Sequence, residues 1–87
     1  MSASYKTDGP VTLTEAEIIA LHQKLRDMRH DLNGHLTNII AAAELIRLRP
    51  ASTEERLKTL LEQPHKIAQL MSSFSSDFEK VLHLQRA

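Results

Sequence analysis

Two long apolar stripes at helical spacing, separated by a proline, constrain this chain more than any other feature. In the first, Ile18, Leu21, Leu25, Met28, Leu32, Ile39, Ala42 and Ile46 recur at alternating three- and four-residue steps, with His35 in the one polar place. That alternation is one stripe along a helix. Leu36, Ile40, Ala43 and Leu45 widen it in its second half, a width suited to a four-helix bundle rather than a two-stranded coil. Thr14 and Glu17 have the spacing of a capping box, and Leu13 and Ile18 that of a hydrophobic staple. Helix one is therefore expected over about 14–49, ending where Pro50 restricts the residue before it.

Pro50-Ala51-Ser52 reads as a short turn, and Ser52 with Glu55 as a second capping box. Helix two is expected over about 53–84, with the stripe Leu57, Leu60, Pro64, Ile67, Met71, Phe74, Phe78 and Val81. Pro64 costs a helix bond and a clash, roughly 3 kcal/mol, and predicts a kink or a restart there. Ser72, Ser73, Ser75 and Ser76 fall mostly off the stripe and read as solvated positions. The short turn makes the helices antiparallel neighbours. A first helix of about 35 residues is roughly 50 Å long at 1.5 Å per residue. A chain of 87 residues is one small domain, too small to cover two such stripes by itself. The expected fold is all-α, an antiparallel helical hairpin dimerising into a four-helix bundle. Residues 13–87 form that hairpin domain, and residues 1–12, polar and with Gly9-Pro10 near their end, form a flexible tail.

Composition removes several functions. Without cysteine there are no disulfides, thiolate metal sites or thiol catalysis. Eleven Lys plus Arg balance eleven Asp plus Glu, which argues against a basic nucleic-acid binder or a polybasic membrane anchor. The aromatics are Tyr5, Phe74 and Phe78, too few for a base-stacking platform. No apolar run approaches the roughly 20 residues that span a bilayer, and no signal peptide opens the chain. A cytoplasmic protein is the expectation. There is no His-x-x-x-His spacing, and His22, His65 and His83 suggest no ligand set, so no metal site is expected.

The stretch His30-Asp31-Leu32-Asn33-Gly34-His35-Leu36-Thr37-Asn38-Ile39 carries the chemistry. With Ile18 at heptad position a, His30 falls at f, the outermost position. An exposed imidazole beside an acid can act as a nucleophile, one ring nitrogen attacking while the other is oriented. Asp31 is adjacent, and Asp27 and Arg26 lie on the neighbouring surface, three and four residues earlier. His35 at d is expected to line the core, hydrogen-bonded to a partner, and Asp31 and His35 have the i, i+4 spacing of a pair.

This stretch resembles the histidine box of the dimerisation and histidine-phosphotransfer domain of sensor histidine kinases. In that family a His is followed by an acid, an apolar residue, two polar or small residues and, soon after, Leu-Thr, and one subgroup begins His-Asp-Leu-Asn. Here His30, Asp31, Leu32 and Asn33 are followed by Leu36 and Thr37, and the resemblance runs over the hairpin from about 14 to 84. It implies that His30 is the phosphoacceptor, that Asp31 orients or deprotonates it, and that Asn33, Gly34 and Thr37 are docking neighbours for a response-regulator receiver domain. It also implies a homodimer that exchanges phosphate with the receiver, whose aspartate would take the phosphoryl group. No cofactor would be bound by this chain itself. Magnesium and ATP would enter only through partner domains, including a separate ATP-binding kinase domain.

Three departures limit the resemblance. Nothing in the sequence resembles a nucleotide pocket, so self-labelling with ATP is not expected. The family's phosphatase activity leans on Thr, Asn or Gln four residues after the histidine, where this chain has Gly34, so the resemblance does not extend to it. The proline common five residues after the histidine is His35, which predicts a straighter helix. Both a stand-alone phosphotransfer protein and an excised kinase domain fit the pattern. The rival reading is a non-catalytic interaction protein that binds a histidine kinase or a receiver domain.

Overall fold

The computed structural model describes residues 4–86 and is a helical hairpin. Helix α1 spans Glu15–Leu48, a 3-10 turn spans Pro50–Ser52, and helix α2 spans Thr53–Val81. Lys24 bonds Asp77 at 3.2 Å and His35 bonds Gln63 at 2.8 Å. The partner number falls as the α1 number rises, so the two helices run antiparallel.

Local sequence sets the start of α1. Thr14 is the N-cap in extended conformation; its hydroxyl accepts from the Glu17 amide at 3.1 Å, and Glu17 Oε1 accepts from the Thr14 amide at 2.9 Å. The hydrogen bond from the Thr14 amide first, and the neighbouring Thr14 hydroxyl second, hold the Glu17 carboxyl below its ordinary value. A carboxyl lowered on folding contributes in full above its unfolded value, and the contribution fades as pH falls through the lowered one. A carbon-detected titration is expected to place Glu17 below the ordinary glutamate value of about 4.3. A midpoint at or above that value would contradict a formed box.

The second expected capping box does not form. Ser52 sits at φ −96°, ψ 12°, and its hydroxyl donates to the Arg49 carbonyl at 2.9 Å instead of capping α2. The 3-10 turn puts Ser52 in a near-helical conformation, whereas a capping side chain needs an extended backbone to reach forward. Nor does α2 restart at Pro64; the helix runs through it to Val81. It ends in a Schellman turn, with the Leu84 amide on the Glu79 carbonyl at 2.9 Å and the His83 amide on Lys80 at 3.2 Å. His83 takes the left-handed conformation (φ 53°) that glycine usually supplies. The reversed chain then forms β2, Gln85–Arg86, antiparallel to β1, Tyr5–Lys6, within the segment read as a tail.

The molecule measures 59 × 29 × 13 Å. Thirteen ångströms is about one helix with its side chains, so the hairpin is a single layer. Among the described residues only Ala42 and Gln63 are buried. The less exposed positions of α1 include Leu21, Met28, Leu32, His35, Ile39, Ala42 and Ile46, the expected stripe without its exposed members Ile18 and Leu25. Those of α2 include Arg56, Leu60, Gln63, Ile67, Leu70, Phe74, Asp77, Phe78 and Val81. Three of the eight positions of the stripe expected for helix two are turned away: Leu57, Pro64 and Met71 are exposed. The apolar sector is broader than one neighbour can cover, and α1 packs on one flank of it.

At about 100° per residue, Ile18, Leu25, Leu36 and Ile40 fall on the corresponding outer flank of α1, and all are exposed. In an antiparallel pair the two flanks lie on the same side of the hairpin. One long face is thus apolar, with Ile40 65% and Met71 50% exposed. The opposite face is polar.

Candidate functional site

His30 lies near the middle of α1 and is exposed, as its heptad position requires. On the polar side of the hairpin it borders an open groove of about 680 Å³, which takes Asp31, Gly34 and Asn38 from α1 and Lys66 and Gln69 from α2. On its other side is a smaller recess of about 370 Å³ that includes Arg26, Arg29 and Asn33. The imidazole stands on the ridge between the two.

The groove is anchored by a polar layer between the helices. His35 Nδ1 lies 2.8 Å from Gln63 Oε1, and Asn38 Nδ2 reaches the same oxygen at 3.5 Å. An acceptor oxygen there requires the His35 nitrogen to carry its proton and donate. Gln63 is 2% exposed, and a buried amide without such partners would be costly. His35 thus lines the interior, but its partner is Gln63 across the hairpin and not Asp31 one turn back. Asp31 is exposed on the flank and makes no hydrogen bond or ion pair among the described residues. It is not bonded to His30 either, because consecutive helical side chains diverge by about 100°.

The expected docking neighbours separate. Gly34 lines the groove, Asn33 lines the recess behind His30, and Thr37 is exposed two turns further along the same outward face. Gly34 has no internal reason to be glycine, since a β-carbon built on it meets nothing within 4 Å. Glycine costs a helix interior about 1 kcal/mol relative to alanine. Gly34→Ala is accordingly expected to raise the thermal midpoint by about 4–8 °C per kcal/mol gained in a chain of this size, measured by circular dichroism. A lowered midpoint would mean that another chain packs against this position.

Lys66, Gln69 and Asn38 are groove residues that single-helix patterns do not reveal. The signal for the two on α2 lies in the register across the hairpin: with Gln63 opposite His35, Lys66 falls about level with Leu32, beside the turn that carries His30. Glu62 and His65 stand three apart on α2, but among the described residues no three His, Asp or Glu side chains gather where a metal ion could be held. Among the described residues no helix is long and apolar enough to cross a membrane. No protein family matches this chain, and comparison with curated proteins and with solved structures finds no significant similarity.

Proposed function

We propose that this protein is a homodimeric phosphotransfer module of two-component signalling, with His30 as phosphoacceptor and a receiver-domain aspartate as exchange partner. The observation that carries the reading is the exposed imidazole in mid-helix, on a ridge beside an open polar groove. Phosphoryl transfer asks little covalent chemistry of a protein; it asks for position and for offset of charge. A long helix supplies the position, and the groove gives a second protein room to approach.

In the proposed step, the unprotonated ring nitrogen of His30 attacks the phosphorus of an aspartyl phosphate. The P–O bond to the carboxylate breaks, and the carboxylate keeps the electron pair. The other ring nitrogen keeps its proton throughout, and Asp31 is the near acceptor that would orient it once the partner closes the groove. Magnesium comes with the receiver. The single-layer shape and the exposed apolar face support the dimer: a second hairpin laid on that face would complete a four-helix bundle and leave the His30 groove outside. The cytoplasm, where receivers work, is the compartment this role implies.

The test offers the chain phosphorylated receiver domains from the same source, one at a time. Label is expected to pass to the chain from at least one of them, and ATP alone is expected to give none. Transfer from no member of a complete panel would leave the interaction-protein reading in its place.

A further inference from the structure

We propose that Lys66 of α2 and Arg26 of α1 form the cationic seat for the phosphoryl group on His30. This rests on the reading of His30 as phosphoacceptor and names what stabilises the transferred group there.

The argument begins with charge. A phosphoryl group brings close to two negative charges to His30, and Asp31, already beside it, repels them. Something must offset both if the phosphorylated form is to persist. The chain as a whole gives no help, because its formal net charge is zero. The local distribution does. Lys66 lines the groove opposite His30 and Asp31, and Arg26 lines the recess on the other side of the same imidazole. Neither makes an ion pair or side-chain hydrogen bond among the described residues, whereas Lys24 and Arg47 are paired with Asp77 and Glu44.

Direction also favours these two. Helical side chains lean toward the N-terminus, so the imidazole leans over the preceding turn, where Arg26 and Asp27 sit. Asp27 is occupied there, accepting from Gln23 Nε2 at 3.0 Å, and Arg29, which borders the same recess, diverges from His30 by about 100° as its chain neighbour, so Arg26 is the cation one turn back on the His30 side. Lys66 approaches from the other helix on a flexible four-carbon stem, suited to following a group that is present only part of the time. The two cations flank the ridge, so the phosphoryl oxygens can be met from both sides without closing the line along which a receiver must attack.

The test needs no cognate partner. Phosphoramidate is a small phosphodonor: a ring nitrogen forms the new P–N bond, the donor's own P–N bond breaks, and ammonia leaves with the electron pair. The full chain is incubated with phosphoramidate over a range of concentrations, and the label is followed by intact mass and located by fragmentation. Wild type is compared with Lys66→Gln, Arg26→Gln, the charge-keeping Lys66→Arg, a control Lys58→Gln elsewhere on α2, and His30→Gln.

Either seat variant is expected to label about tenfold more slowly, a partly solvated version of losing one charge-stabilising donor. The loss should appear mainly as a raised KM for the anionic donor, whose nitrogen carries the proton that lets it leave as ammonia, and Lys66→Arg should recover most of it. Lys58→Gln should match wild type, and circular dichroism should be unchanged in all, since these side chains hold nothing in the fold. If wild type labels on His30 and both seat variants label as fast, with equal KM, the seat is overturned while the phosphoacceptor reading stands. If wild type takes no label on His30 at any concentration, the phosphoacceptor reading falls and the seat with it.

Discussion

Ile40→Asp is expected to convert the protein from a dimer to a largely unfolded monomer. In one hairpin Ile40 is 65% exposed, and a surface substitution there would shift stability by only about 0.5 kcal/mol. In the proposed bundle the same position lies in the core between hairpins, where an unpaired carboxylate costs roughly 3 kcal/mol or more per chain. Leu48 supplies the control, because it is also 65% exposed but lies off the apolar face, about 80° around α1 from Ile40. Leu48→Asp is expected to keep the dimer. Light scattering at micromolar concentration should give about twice the 9.8 kDa chain mass for wild type and Leu48→Asp. A cooperative wild-type monomer, or an Ile40→Asp protein as dimeric and stable as wild type, would contradict the bundle.

His30→Gln is expected to abolish phosphate exchange while leaving fold and dimer intact. The imidazole is exposed and forms no side-chain hydrogen bond or ion pair among the described residues, so its loss leaves no cavity and no unsatisfied partner. Asp31→Asn is expected to slow exchange by roughly tenfold to a hundredfold without weakening receiver binding, because an orienting acid acts on the ring and not on the docking surface. Loss of helical signal in His30→Gln would show that this side chain holds structure that the hairpin alone does not contain.

The parts of the fold that depend on near neighbours were legible from sequence. Thr14 and Glu17 announce the start of α1, Pro50 announces its end, and the heptad frame places His30 outward and His35 inward. Most of what was not legible depends on the other helix or on the far end of the chain, the local turn at Ser52 being the exception. The three-four spacing identified an apolar stripe on α2 but not which flank α1 would take, so Gln63 and Leu70 turn inward where Pro64 and Met71 were expected. Ser52 had the sequence of a cap, but the 3-10 turn gave it the wrong backbone. The pairing of Tyr5–Lys6 with Gln85–Arg86 joins two residues to two others across nearly the whole chain, and segments so short have no periodicity to read. The groove suffers from the same blindness: His30 and Asp31 come from one motif, but Lys66 and Gln69 reach them only through hairpin register.

The most direct measurement is the location of the label after exchange. The purified chain is mixed with a phosphorylated receiver that transfers to it, quenched at alkaline pH, and fragmented to place the phosphoryl group. The account predicts an acid-labile, base-stable label on His30 alone, absent from His22, His35, His65 and His83 and from the serines of α2. A label on any other residue, or one stable to acid, would contradict it.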